Sequence, residues 1–486
     1  MTNLSLNTCD ILISGGDLID GTGAPRKKAD VAISGDRIIG IGNLHNLDAK
    51  KEIDARNLIV APGFIDVHTH DDNLLFQDGD VTPKTSQGVT TVVVGNCGIS
   101  LAPLIIKDDS PPPPLDLLGT AKDFRFKKFC DYLHALDEKP PAANAVFLVG
   151  HSTLRLATMS DVDRPATSNE ITQMQKLVEE AMDSGATGLS TGLIYGPNKA
   201  APTDEIIALA EVVSGKGGIY VTHMRNEGDY IDKSLDETFE IGRKANLPIV
   251  VSHHKCAGRK NFGRSIETLA RFESLHASQE VGLDVYPYSA GSTVILAEMV
   301  EVAESVIITW SDRRPEFAGQ DLSDIAGKLG CSLKDAATQL TPGGAIYFMM
   351  DEEDVQRILS YPHSMVGSDG LPNDKHPHPR LWGTFPRVLG HYSRKLGLIS
   401  LEDAVRRMTG LSANKFGIRD RGIIRPDAYA DITVFNPHSV IDTATFENPT
   451  QPAEGIDTVI VNGTIIREKA IKTGARTGRT LRRVPS

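Results

Sequence analysis

Two histidines one residue apart close the stretch 63–72, GFIDVHTHDD. Residues 64–67 have the apolar character of a buried strand, and on a pleated strand side chains two apart leave the same face. His68 and His70 therefore aim two imidazoles at one spot, with two aspartates following. Such a pair suits a metal ion; the plain alternative is a loop with two solvated histidines. Other apolar runs end in residues of the same kind. Cys97 closes GVTTVVVGNCG, His223 lies in GIYVTHMRNEG, His253 and His254 in LPIVVSHHK, and Asp369 in MVGSDG. Imidazoles, one thiolate and a carboxylate suit Zn²⁺, which accepts N, S and O donors, whereas magnesium or calcium would call for more oxygen. Three strong protein ligands leave room for a water whose pKa zinc lowers toward about 7. Asp369 is then placed to take the proton and pass it to a leaving nitrogen. Each residue also has an ordinary reading. His254 must point away from its neighbour His253, so one of the two is a packed core histidine. His151, in GHSTLR, reads equally as a polar supporting residue, and Cys97 alone as a buried apolar one.

A scaffold must bring these strand ends together. Eight turn-bounded apolar runs, GFIDVHTH, GVTTVVVGNCG, AVFLVGHST, GATGLSTGL, GIYVTHMRNEG, LPIVVSHHK, GLDVYPY and MVGSDG, alternate with segments of helical period. The clearest helices are expected over 169–184, 204–215, 233–246 and 265–278, the first capped by Ser168 or Asn169. The pattern predicts an α/β fold, a TIM (β/α)8 barrel, whose active site lies at the C-terminal ends of the strands. A doubly wound open sheet is the alternative. Both chain ends are β-rich, with hairpin signals at SGDR and at Asn462-Gly463. Pro111 to Pro114 predict a stiff connector after the second strand. The interval 289–364 between strands seven and eight is too long for an ordinary connection and contains LSDIAGKLG and SLKDAATQL, so a folded insert, placed as a lid, is expected there.

The chain has 486 residues, 40% of them hydrophobic, a net charge of -12 and scattered basic residues. Nothing favours nucleic acid or an anionic membrane surface, which leaves small-molecule chemistry. Five dispersed cysteines without CxxC suit a reducing cytoplasm, and no signal peptide or membrane span is evident. A monomer or a small homo-oligomer is equally compatible.

The motifs APGFIDVHTHDD, GNCGIS, GLSTGLIYGP, THMRNEG, SHHKCAG, DVYPYSAGST, GAIYFMMDE and GSDGLPNDKHPHPRLWGTFPRVLG together resemble the N-acyl-D-amino-acid deacylases (D-aminoacylases) of the amidohydrolase superfamily. The resemblance spans nearly the whole chain. It implies a barrel (62–414, with the insert 289–364) carrying a small β-sandwich built from 1–61 and 415–480. It implies one tightly held zinc on Cys97, His223 and His253, with His68, His70 and Asp369 forming a weaker second site or the catalytic part. By this match His253, not His254, is the ligand. A water activated at zinc attacks the amide of an N-acyl-D-amino acid, and Asp369 carries the proton to the nitrogen. Lys255, Tyr286, Ser292 and Arg380 are the implied partners of the substrate α-carboxylate, and Tyr195, Tyr347 and Met350 of its side chain. The segment VILAEMVEVAE has no Lys or Arg to pair an acidic side chain, which favours apolar D-residues such as methionine, leucine or phenylalanine. The ordinary reading of YFMM is core packing. Two alternatives stand beside this one: a cyclic-amide hydrolase of the dihydropyrimidinase or hydantoinase type, and a non-catalytic metal-binding scaffold. The first needs a carbamylated lysine on strand four, where GATGLSTGL offers none; Asp369 weighs against the second.

Overall fold

The computed structural model describes residues 8–107 and 110–483. Residues 1–7 of the N-terminal stretch, and Asp108 and Asp109 of the proline-rich connector, lie outside the described residues. Eight strands lie side by side in chain order: β1 Phe64–Asp66, β2 Val89–Val94, β3 Asn144–Gly150, β4 Gly188–Gly192, β5 Ile219–His223, β6 Ile249–Val251, β7 Val281–Val285 and β8 Ser364–Val366. Every neighbouring pair is parallel. Between β8 and β1 the ring closes through a bridge of Thr69 to Gly370, and the Asp369 N–H donates to the His68 carbonyl at 2.8 Å. The sheet is therefore a (β/α)8 barrel and not an open doubly wound sheet. The VTTVVV run of β2 shows why these segments become strands: all six residues are β-branched and all are buried. Ile65, Val93, Leu148, Val221 and Met365 fill the lumen, and Phe416 closes it at the N-terminal end.

Helices Ser168–Ser184, Thr203–Gly215, Ile231–Ala245 and Ser265–Leu275 alternate with the strands. The first is capped by Thr167, not by Ser168 or Asn169. Only Thr167 stands three residues before Glu170, whose carboxylate accepts the Thr167 N–H at 2.8 Å while its own N–H donates to Thr167 Oγ1. The third helix stops at Ala245 because Asn246 takes a left-handed φ of 53°.

The β-rich ends form a four-stranded sheet from the N-terminal part and a seven-stranded sheet in which Ile59–Pro62 pairs with Ile432–Phe435 from the C-terminal part. A core including Ile13, Val31, Val60, Ile432 and Ile460 joins them into a β-sandwich. Between β7 and the helix that precedes β8, Glu352–Ser360, the insert forms an antiparallel sheet of Ala290–Val294, Gly343–Phe348 and Ser305–Ser311, with helices Leu322–Leu329 and Leu333–Leu340. The two helices agree with the expected stretches; the sheet was not anticipated. No helix among the described residues is long and apolar enough to cross a membrane.

Candidate metal centre

Beyond β2, β6 and β8 the backbone turns left-handed at a non-glycine residue: Cys97 with φ 52°, His253 with φ 35° and Asp369 with φ 50°. Such conformations cost about 1–3 kcal/mol each and persist only where the surroundings impose them. All three side chains point into one cluster. Cys97 Sγ lies 3.2 Å from His68 Nε2, 3.5 Å from His253 Nε2 and 3.8 Å from His223 Nδ1. Asp369 Oδ1 lies 3.1 Å from His70 Nε2 and 3.4 Å from His68 Nε2. All six residues are buried. Donor atoms of His68, Cys97, His253 and Asp369 lie within 4.8 Å of one another, as do those of His223, Glu227 and His253. A thiolate, a carboxylate and imidazole nitrogens converging at that separation match the donor types and the roughly 2.0–2.3 Å bond lengths of zinc.

The cations expected around the substrate stand beside this cluster. Lys255 Nζ donates to Glu227 Oε1 at 2.6 Å. Arg380 Nη2 lies 2.9 Å from Asp369 Oδ2 and donates to the Ser292 carbonyl at 2.9 Å, with its guanidinium 4.5 Å over the Tyr286 ring. Arg380 Nε and Nη1 are buried without a hydrogen-bond partner. Ser292 Oγ itself donates to Ala345 O. The Tyr286 hydroxyl meets Met350 Sδ at 3.8 Å, and Tyr195 packs edge-on to His223 with its hydroxyl 2.9 Å from Thr293 Oγ1. The Tyr347 hydroxyl bonds Val294 O and Leu296 N inside the insert, so only its ring remains for a pocket. His254 turns away from the cluster to Thr268 Oγ1 at 2.8 Å and to the Phe272 ring, and burial lowers its pKa to about 3. His151 pairs with Glu205, which also holds Arg155.

The model of the Amidohydrolase family matches residues 51–467. The chain belongs to that family. It is 54% identical to the D-aminoacylase of Alcaligenes xylosoxydans xylosoxydans over 474 residues, 98% of each chain. A solved D-aminoacylase structure, studied for the role of its binuclear metal centre in one-metal activation and second-metal attenuation, is 55% identical. It superposes with a TM-score of 0.96 over 98% of this chain and 100% of that one. The N-acyl-D-glutamate deacylase of Bordetella bronchiseptica, solved with zinc and a phosphonate mimic of the tetrahedral intermediate, is 45% identical. Its TM-score is 0.94, over 98% of this chain and 100% of that one.

Three buried charged residues that orient the site in this amidohydrolase escaped the sequence reading. Glu227 Oε1 lies 3.0 Å from His253 Nδ1 and its Oε2 3.6 Å from His223 Nε2, so one carboxylate backs two imidazoles from behind. Lys255 Nζ also lies 2.7 Å from His253 Nδ1, so that nitrogen faces both an acceptor and a donor while Nε2 faces Cys97. Asp284 Oδ1 accepts the His253 N–H at 2.9 Å and lies 3.3 Å from His68 Nδ1. Lys84 Nζ bonds Asp66 Oδ2 at 2.9 Å and Ser368 Oγ at 2.5 Å, next to Asp369. The only signal for Glu227 was its place four residues after His223 in THMRNEG. Burial opposes charge at Cys97, yet His68, His223 and His253 hold its pKa well below the ordinary thiol value. Burial likewise opposes the Asp369 carboxylate, while Arg380, His253 and His68 hold it ionised. These neighbours therefore favour the thiolate of Cys97 and the carboxylate of Asp369.

Proposed function

We propose that this amidohydrolase hydrolyses N-acyl-D-amino acids to a carboxylic acid and a D-amino acid, with a preference for apolar D-side chains. The observation that carries the substrate class is Arg380. It is a fully buried guanidinium beside Asp369 that still has two orphan N–H donors, and buried donors of this kind call for an anion. The α-carboxylate of the substrate fits it, and places the adjoining amide over the metal-ligand cluster. The D-configuration and the linear amide rest on the 54% identical D-aminoacylase. Strand β4, GLSTG, has no lysine for the bridging role that a cyclic-amide hydrolase uses.

Cys97, His223 and His253 would hold one zinc tightly, and His68, His70 and Asp369 would complete a weaker second position. When bound, zinc supplies Lewis acidity, lowering the pKa of water and stabilising negative charge on the amide oxygen. Asp369 takes the proton of the attacking water and returns it to the leaving nitrogen. Arg380 and Lys255 orient the carboxylate, with Tyr286 and Ser292 beside them, while Tyr195, Tyr347 and Met350 border the apolar side chain. The insert of 289–364 acts as the lid on the barrel of 62–414, and 1–61 with 415–480 form the sandwich. The free thiols of Cys9, Cys97, Cys130, Cys256 and Cys331 suit a reducing cytoplasm.

The test is a panel of D- and L-N-acyl amino acids assayed with metal content measured on the same preparation. N-acetyl-D-methionine and N-acetyl-D-leucine should outrun N-acetyl-D-glutamate, and L-substrates should be inert. The opposite side-chain ranking would refute the apolar pocket, and stoichiometric zinc with no amide hydrolysis would refute the activity.

A further inference from the structure

The N-terminal end of a (β/α)8 barrel, opposite the metal cluster, ordinarily carries stability and not chemistry. Here it holds a cavity of about 380 Å³ between the turn 416–421 and the C-terminal tail 479–483, with Val146 of β3 and Thr187 before β4 as its inner wall. The tail is fixed in place. The Ala145 N–H donates to the Arg479 carbonyl at 2.9 Å and the Leu481 N–H to the Ala145 carbonyl at 2.8 Å.

In a chain of net charge -12, five arginines line this one cavity, Arg419, Arg421, Arg479, Arg482 and Arg483, against a single carboxylate, Asp420. Three of them are neutralised: Arg421 by Asp431, Arg479 by Asp36 at 2.7 Å and Arg482 by Asp137. Asp420 is taken by Arg425. Arg419 and Arg483 form no ion pair with a carboxylate among the described residues. The Arg483 guanidinium lies over Gly417, with Nη1 3.4 Å from where a Cβ would stand, and its Nε is buried without a hydrogen-bond partner. Burial first, and then the charge of Arg419, which lines the same cavity, push the Arg483 pKa below its ordinary value.

The buried Arg483 Nε–H without a partner is unfavourable, and a dianion held between it and the exposed Arg419 guanidinium would satisfy it. Guanidinium forks match phosphate oxygens in pairs. The volume falls inside the roughly 300–1,000 Å³ of small-molecule pockets, leaving space for a short carbon skeleton attached to the phosphate. We propose that this cavity is a second binding site, for a small phosphate monoester whose dianionic head bridges Arg419 and Arg483.

Isothermal titration calorimetry of the intact, metal-loaded protein with glycerol 3-phosphate, inorganic phosphate and glycerol, at fixed ionic strength, tests it. One glycerol 3-phosphate per chain should bind with a Kd of about 1 mM or tighter, inorganic phosphate more weakly, and glycerol not at all. Arg419→Gln/Arg483→Gln should weaken the ester at least about tenfold, and Arg483→Gln alone by about threefold or more, with melting temperatures close to wild type. Absence of one-to-one binding overturns the proposal. So does equal affinity in the double variant, which would place the anion at the metal end. Inorganic phosphate binding as tightly as the ester overturns the monoester assignment.

Discussion

Lys84 gives the sharpest test of how the barrel seam positions Asp369. Its ammonium is fully buried, 2.9 Å from Asp66 Oδ2, 2.5 Å from Ser368 Oγ and 3.6 Å from Asp71 Oδ2. Asp66 Oδ1 in turn accepts the Ser368 N–H at 2.8 Å and the His68 N–H at 3.3 Å. This cluster ties β1 to the segment after β8, where one isolated bridge closes the ring, and Asp369 follows Ser368 with its left-handed φ of 50°. Lys84→Met keeps the aliphatic stem and removes the charge and its donors. Asp66 is left as a buried carboxylate without its cation, a loss of about 3–5 kcal/mol when one partner of a buried pair is removed. Relaxation of the seam then moves Asp369, and a shift of about 1 Å in a reacting group costs about 100-fold. We expect kcat for N-acetyl-D-methionine to fall by about 10- to 100-fold with KM changed by less than about threefold. Zinc content should hold, since Cys97, His223 and His253 come from β2, β5 and β6. Lys84→Met/Asp66→Asn removes both charges, so part of the stability should return in urea unfolding while kcat stays low. A single variant within twofold of the wild-type kcat would refute the positioning role. Recovery of kcat together with stability in the double variant would show that lost stability was the whole effect.

Cys97→Ala removes the sulfur that lies within 3.8 Å of three imidazoles; most of the zinc and most of the activity should go, and retention of both would sink the ligand assignment. Asp369→Asn keeps the shape of the side chain but cannot carry the proton, so metal should remain while turnover drops by about 10²–10⁴-fold, and a near-normal rate rules the shuttle out. Burial, partly offset by Thr309 and Arg380, raises the Asp374 pKa from 3.8 to about 7, and one of its oxygens has no partner. The folded chain therefore holds a proton that the unfolded chain has lost between about pH 4 and 7, and stability falls as pH rises through that window. Asp374→Asn should melt higher than wild type at pH 8 and by a smaller margin at pH 5; the same difference at both, or none, would contradict this.

The strands and the residues that converge at their ends were legible because both depend on local pattern. Runs such as VTTVVV can hardly be anything but strands, and the barrel fold places His, Cys and Asp at their ends in one mouth. The supporting charges were not legible, because their meaning lies in partners far along the chain. Asp66 sits in a run read as apolar, and its partners Lys84 and Ser368 are 18 and 302 residues away. Asp284 reads as one polar residue in GLDVYPY until its carboxylate is seen holding the His253 N–H. The insert's sheet escaped for a related reason: AGSTV has little β-branched character of its own and is fixed by antiparallel pairing with residues of the distant segment 344–348.

The choice between His253 and His254 shows where alternation along a strand stops being informative. Period two says only that neighbours point apart, and it assumes that the strand continues through both. In the fold β6 ends at Val251, and the chain turns left-handed at His253 with φ 35°. Asp284 then holds the backbone on both sides of that turn, its Oδ1 accepting the His253 N–H and its carbonyl accepting the His254 N–H at 2.8 Å. The turn aims His253 at Cys97 and sends His254 outward to Thr268. A left-handed φ also follows β2 at Cys97 and β8 at Asp369. In each case the functional side chain stands just past the strand, where backbone strain and not strand period sets its direction. Removing the Asp284 carboxylate should therefore disturb the aim of His253 more than the barrel itself. Asp284→Ala is expected to lose zinc affinity by about 10–100-fold while β6 and β7 stay paired. Unchanged zinc affinity in a folded Asp284→Ala protein would mean that the turn at His253 is held by packing alone.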